Sequence, residues 1–566
     1  MVQNPPSYRR WYGSDEVRTV RQSRPIGQIL FCIILIVTGF SAHAAAAIHN
    51  VKTNCGATGN GTTDDTAAIN TCIGALVGGD TLLFPAGTYY VSSTLTISVS
   101  NVIVDGSNGA ASLKCSGGRY CMTIGGGNKT ASTPLTADSA ALSTSFQANL
   151  SAIGIVDGSY VELEEGGVDV ARNITDPLSC SAATPCRSEV LHVTSVSGNT
   201  ATIDTAAQTT PGVHFPYDYA TPASLGCASP FTACPSANGA HVYRLVSPVS
   251  GITVQNIILD GSGSTGEGAF LVQDVVNSTL SGVTIRHFAE EGIQIYYTYN
   301  LALNTILIQD AGTNGGQGAF NAKNEGHTMI NGMTFNSMRH DSWPFFMGGG
   351  ADNTVADVEV DGGSIVDTRL FNLGAISYST FNSINVHDAA SGNIDNGVSM
   401  QYYAQHLTFN SCRVVNTGTS GGLIGFGNDN SFNTFNDCTA TGSKGWQIAN
   451  AGLNDTNWTI SGGTYANSIG GNDIIHLSGN SGHYVHDTSV SGPGNIGINL
   501  NTAKGSCSNN NTFVGGSGLS GGILTSSTTV VGSGNVLNNF SSNLTPGTCG
   551  DGGTPAAPTG LSATVH

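Results

Sequence analysis

The chain has 566 residues, of which 76 are glycine and only 10% are charged, with a net charge of −18. Hydrophobic residues at 39% and aromatics at 7% can fill a large core, which argues against disorder, and the acidity makes nucleic acid a poor partner. Few Lys or Arg and many Gly, Asn, Ser and Thr suit short strands and tight turns better than amphipathic helices, so an all-β fold is expected.

Residues 1–44 read as a signal peptide. Arg9, Arg10, Arg18, Arg21 and Arg24 precede an apolar run from Ile26 to Phe40 that ends at the small-x-small pattern Ala42-His43-Ala44. The run is shorter than the ~20 residues of a spanning helix, so no membrane contact is expected after cleavage, and the mature chain is expected outside the cell or in the periplasm. Subtracting the five basic and two acidic residues of this segment leaves a net charge of −21. Twelve of the 13 cysteines remain, an even number that favours disulfides. Spacing suggests Cys55 with Cys72, Cys115 with Cys121, Cys180 with Cys186, Cys227 with Cys234, Cys412 with Cys438, and Cys507 with Cys549. No two cysteines have C-x-x-C spacing, so no metal site is expected.

Residues 45–141 are expected to hold an N-terminal cap and the first coils of a solenoid. Thr62 to Asn70 reads as a short capping helix with Asp64 and Asp65 in its first turn. Across 142–247 hairpin-like segments appear instead: Ser159 to Leu163, then Glu189 to Ser195 and Thr200 to Asp204 around Ser197-Gly198-Asn199, which predicts an inserted small β-domain. Residues 248–545 repeat loosely, and 546–566 read as a linker followed by the start of a fibronectin type III-like strand.

The repeat is a small residue followed by an alternating apolar stretch, as in Gly292-Ile293-Gln294-Ile295 and Gly497-Ile498-Asn499-Leu500. Taking equivalent positions as 292, 318, 342, 369, 397, 422, 445, 474 and 497, the steps run from 23 to 29 residues. Period-two alternation broken by Gly, Asn and Asp excludes helical repeats and predicts a right-handed parallel β-helix. In that register Phe270, Ile293, Ile295, Phe345, Met400 and Ile448, with Trp343 and Trp446, point inward as core.

The opening from Asn50 to Ile69, with its Gly56-Ala57-Thr58-Gly59-Asn60-Gly61-Thr62-Thr63-Asp64-Asp65-Thr66-Ala67-Ala68-Ile69 string, and the later Phe84-Pro85-Ala86-Gly87-Thr88-Tyr89, resemble the start of pectate lyase superfamily β-helices. That resemblance implies the pectin-lyase-like solenoid and extracellular glycan chemistry, as in polygalacturonases, rhamnogalacturonases, alginate epimerases and phage tailspikes. It does not imply one reaction. The Asn-Thr-Asp, Asp-Asp, Gly-His-Gly and Arg-Ile-Lys strings of polygalacturonases are missing from the repeats, as is the epimerase Asp-Pro-His-Glu.

Candidate chemistry therefore comes from columns of residues one and two positions before the small residue. These hold Glu291, Gln317 and Asp341 in one column, and His340, Asp367 and Asp395 in the other. Glycoside hydrolysis needs two carboxyl groups, ~6.5 to 9.5 Å apart for inversion and ~5 to 5.5 Å for retention. Strand spacing puts Glu291 and Asp341 ~9.6 Å apart and Asp341 and Asp367 ~5 to 7 Å apart. Glu291, Asp341, Asp367, His340 and Asp395 are the expected catalytic set, and Gln294, Tyr296, Gln317, Lys323 and Arg369 the expected substrate contacts. A hydrolase needs no cofactor. A lyase or epimerase would use His340 or Tyr296 as base and Arg339, Arg369 or Lys323 to stabilise the anion, with Ca²⁺ as a possible helper. The third reading is a non-catalytic glycan-binding or adhesion β-helix. In each case the expected partner is a polysaccharide, acidic or neutral.

Overall fold

The computed structural model describes residues 46–538 apart from 166–186, 207, 216–239, 263–267, 290, 312–318, 337, 339–343, 363–368, 389–395, 402, 416–420, 427–429, 444, 451–454, 468–471, 478–481, 493–495, 501–505, 510, 515–520, 526–529 and 532–534. The expected signal peptide, the C-terminal linker, and the pairs Cys180–Cys186, Cys227–Cys234 and Cys507–Cys549 lie wholly or partly outside them.

Alternating residues decide the architecture. Leu82, Val104, Val254, Leu280, Leu303, Ile330, Val355, Phe381, Phe409, Phe435 and Ile460 occupy one position on successive rungs, each paired in parallel with the next. All of them are buried. Their stacking is tight enough to align rings: Phe381, Phe409 and Phe435 lie 4.8 and 5.1 Å apart, and Phe345 and Phe371 4.1 Å apart. The result is a parallel β-solenoid within a single 41-stranded sheet. Phe270, Ile293, Ile295, Phe345, Met400 and Ile448 are in its core, as expected.

The composition follows from the corners. One turn column runs Asn256, Gly282, Thr305, Gly332, Asp357, Ser383, Ser411, Asp437, Gly462 and Asp487, and every member has φ between +52° and +78°. Left-handed backbone is costly for most side chains and least so for Gly, Asn and Asp, so a solenoid that turns this way on every rung accumulates these residues. At Gly462 close approach adds to this, since a Cβ there would sit 2.2 Å from Asp437 Oδ1.

The rung carrying Val104 and Met122 pairs directly with the rung carrying Val254 and Phe270. The intervening chain forms a separate antiparallel sheet from Asn128–Lys129 to Ala240–Val246. Within it Arg187–Ser197 turns back on Thr200–Ile203 through Gly198 at φ +60°, the hairpin expected from the sequence. Its core of Leu135, Phe146, Leu163, Val193 and Phe215 extends to Ala351 of the solenoid. Val190 and Leu245 cluster with Val276 and Tyr299 across the same junction.

Two local expectations need correction. The α-helix spans Thr66–Gly74, while Thr62 to Asp64 belong to the strand Asn60–Asp64. No acid lies in its first turn. Asp64 instead accepts from Thr66 N at 3.0 Å and Ser92 Oγ at 2.5 Å, and Asp65 ties down Thr58 N at 2.6 Å and Gly59 N at 3.0 Å. Trp446 is half-buried rather than core, for the register reason given below, and the fully buried indole is Trp458. Trp343 lies outside the described residues. Disulfides Cys55–Cys72, Cys115–Cys121 and Cys412–Cys438 form as the spacing suggested, the last joining adjacent coils.

Candidate functional site

Ile293 pairs down the solenoid with Phe320, Phe345, Phe371, Val398, Leu423, Ile448, Ile475 and Ile498. The residues preceding them are Gly292, Ala319, Pro344, Leu370, Gly397, Gly422, Gln447, Ile474 and Gly497. The register read from the sequence was therefore one residue early at 318 and 369 and two early at 342 and 445. The residue equivalent to Glu291 is Arg369 at the Phe371 strand and, one rung on, Asn396 at the Val398 strand. His340, Asp341, Asp367, Asp395 and Gln317 lie outside the described residues.

Two outward columns flank this ladder. One runs Gln294, Asn321, Phe346, Asn372, Ser399, Ile424, Ala449, His476 and Asn499. The other runs Tyr296, Lys323, Gly348, Gly374 and Gln401.

The structure brings Glu291, Gln294, Tyr296 and Lys323 together at the N-terminal end of these columns. Glu291 is 1% exposed. Its Oε1 accepts from Gln294 Nε2 at 3.0 Å and its Oε2 from the Tyr120 hydroxyl at 3.4 Å. Tyr120 also donates to Gln294 Oε1, and the Gln294 amide donates to the Tyr296 hydroxyl. Gln294 was expected to bind substrate; at 3% exposure its amide is spent on these internal bonds. Gly268 makes room for the phenol, because a Cβ there would stand 2.6 Å from Tyr120 Cε1. Arg119 lies over the Tyr120 ring at 5.4 Å.

Burial, then the charge of Glu291, pushes the Tyr120 phenol above its ordinary pKa, and the same two causes act on Tyr296. Burial lowers the Lys323 ammonium, with Glu291 opposing it. Lys323 extends over the Phe346 ring at 5.9 Å. That ring folds across Gly348, where a Cβ would meet it at 2.4 Å. Two rungs further on, in the orientation that satisfies both groups, the Gln401 carbonyl accepts from Arg369 Nε at 3.2 Å.

The second sheet walls this end. Lys129 Nζ bonds Glu162 Oε2 at 2.5 Å and lies over Tyr297 at 4.0 Å and Tyr243 at 4.4 Å. Asn324 Nδ2 donates to Glu162 Oε1 at 2.9 Å. Burial drives the Glu162 carboxyl up to about 7, with Lys129 opposing. Among the described residues no group of three or more His, Cys, Asp or Glu could hold a metal ion, and no helix is long and apolar enough to cross a membrane.

Sequence reasoning missed Tyr120 and Arg119. They precede the second sheet and fall outside the repeat that began at Ile252. The one signal was the alternation of Tyr120-Cys121-Met122-Thr123-Ile124, which matches a rung once Met122 is set against Phe270.

Residues 48–149 match the family model described as rhamnogalacturonase A/epimerase, pectate lyase-like. This is the segment whose sequence resembled that superfamily. No curated protein matches the chain. Among solved structures, the tailspike protein gp49 from Pseudomonas phage LKA1 is similar at 14% identity and a TM-score of 0.49, over 86% of this chain and 81% of that one. The A-module of the mannuronan C-5 epimerase AlgE6 from Azotobacter vinelandii shares 12% identity at a TM-score of 0.44, over 86% and 99%. PfbA, a surface adhesin of Streptococcus pneumoniae, shares 12% at 0.32, over 88% and 92%.

Proposed function

We propose that the protein is a secreted polysaccharide-degrading enzyme, a glycoside hydrolase in which Glu291 is the proton donor and Asp341 or Asp367 supplies the second carboxyl. The observation that carries this reading is the setting of Glu291: a carboxyl withdrawn from water, oriented by Tyr120 and Gln294, beside Tyr296 and Lys323 on the outward face of the solenoid. A proton donor for a glycosidic oxygen needs that fixed orientation and low-dielectric surroundings. Tyr296, Lys323 and Arg369 line the same face and would bind the sugar.

Two other readings each have an observation behind them. The lowered Lys323 ammonium favours base chemistry of the lyase or epimerase kind, since an amine that gives up its proton readily can abstract one beside a carboxylate. The near-complete burial of Glu291 favours a glycan-binding β-helix without turnover. Product analysis separates the three. Incubation with neutral and acidic polysaccharides should release saturated reducing ends. Unsaturated ends would move the assignment to a lyase, and binding without any product to an adhesin-like role.

A further inference from the structure

Seven rungs beyond Gln294, roughly 34 Å along the solenoid at ~4.8 Å per rung, the same outward column carries a second polar and aromatic cluster. His476 Nδ1 lies 2.8 Å from Asp473 Oδ2, and Asn499 Nδ2 donates to that oxygen at 2.6 Å. The Trp446 indole stacks on the His476 ring at 5.1 Å with 30° between planes. The column member above His476 is Ala449. The inward residues of these rungs are Ile448, Ile475 and Ile498, so the core does not need the cluster.

The cluster meets water through Trp446 and His476, while Asp473 and Asn499 are buried. Trp446 is half-buried, and the His476 and Asp473 side chains are 24% and 12% exposed. Together they offer a half-exposed indole beside a carboxylate, an imidazole and a primary amide. That is the chemistry that recognises a pyranose ring: C–H groups against the aromatic face, and hydroxyls taken by groups able to donate and accept. Asp473 and the chain's net charge of −18 disfavour a carboxylated sugar.

We propose that Trp446, His476, Asp473 and Asn499 form a saccharide-binding site for a neutral pyranose residue, separate from the Glu291 cluster and on the same face. The inference does not need Glu291 to be catalytic. If the Glu291 end also acts on glycan, the second site holds the distal part of the same chain, so ligands too short to span the two sites gain nothing from it.

The test is calorimetric titration of the intact protein with cello-, manno-, xylo- and galacto-hexaose, and with hexagalacturonate as the acidic counterpart. At least one neutral hexaose should bind. Trp446→Ala and Asp473→Asn should each weaken that binding about tenfold or more, a loss of about 1.4 kcal/mol, while Trp446→Phe keeps most of it. Circular dichroism confirms that each variant is folded, and Trp446→Phe with Asp473→Asn decides the matter should Trp446→Ala not fold. The proposal is overturned if no neutral hexaose binds, if the folded variants bind like the wild type, or if hexagalacturonate is preferred. Loss of turnover in Glu291→Gln with hexaose binding intact would leave this site standing apart from the hydrolase reading.

Discussion

The Tyr120 hydroxyl donates to a carboxyl oxygen of Glu291, 171 positions later in the chain, at 3.4 Å. The contact exists because the solenoid resumes after the second sheet on the rung next to the one it left, which sets Gly268 against Tyr120. Tyr120→Phe removes one donor from Glu291 and one from Gln294 while keeping the ring over Gly268. Stability should fall by only about 1 kcal/mol, since a single net hydrogen bond is at stake. Turnover should fall about tenfold in kcat, with an altered pH profile, because the carboxyl loses its orienting partner. Steady-state kinetics across pH checks this; an unchanged profile would make Tyr120 structural only.

Glu325 is fully buried in line with the inward residue Ile376, and neither carboxyl oxygen has a hydrogen-bond partner among the described residues. Burial raises its pKa well above 4.5. The folded protein thus keeps a proton that the unfolded chain releases, so stability present at acid pH is lost as pH rises above 4.5 towards the folded value. Glu325→Gln should remove that loss, and its unfolding free energy should exceed the wild type's at neutral pH and approach it near pH 4. Urea unfolding at several pH values measures the difference; parallel pH dependences would contradict it. Gly350→Ala, whose Cβ would sit 2.4 Å from Glu325 Oε1, should cost about 1 to 3 kcal/mol at any pH.

His406 is sandwiched between Tyr378 at 4.3 Å and Phe432 at 4.7 Å. Burial pushes it down to about 4. The sign is opposite to that of Glu325: stability is complete above 6.5 and is lost as pH falls from 6.5 towards 4. His406→Phe keeps a stacked ring without the proton, so between these pH values it should gain on the wild type by at most about 1.4 kcal/mol per pH unit. Thermal melts at pH 7 and pH 5 suffice. A variant that melts in constant proportion to the wild type would refute the assignment.

Lys129 and the fully buried Glu162 pair within the second sheet, and reach the solenoid through Tyr297 under the Lys129 ammonium and Asn324 on Glu162. Lys129→Met should destabilise by about 3 to 5 kcal/mol at pH 8, because it leaves a buried carboxylate without its counterion. The loss should shrink at pH 5, where Glu162, with its carboxyl already up at about 7, is protonated. The double variant Lys129→Met with Glu162→Leu should recover most of the stability. Denaturant unfolding of the three proteins tests the pairing.

The solenoid was legible because its physics is repeated: Phe381, Phe409 and Phe435 recur at one coil's spacing, and Gly, Asn, Asp and Ser recur in the left-handed turn column. Cys412 and Cys438 were legible for the same reason, being one coil apart. The site was less legible because coils differ in length between strands. Gly318 and Ser342 look like the small residue Gly292, yet the strands start at Phe320 and Phe345, so the alignment of neighbouring coils slips by one or two residues there. That slip also turned Trp446 from core to surface. Tyr120 was invisible because the contact it makes spans the second sheet, and nothing local in the sequence announces which rung the chain rejoins.

The most direct measurement is the release of reducing ends from a panel of neutral and acidic polysaccharides by the intact wild type and by Glu291→Gln. Turnover on at least one substrate, falling by a factor of about 100 or more in the variant, is the predicted result. A folded wild type that releases no ends from any of them, or a Glu291→Gln protein as active as the wild type, would contradict the account.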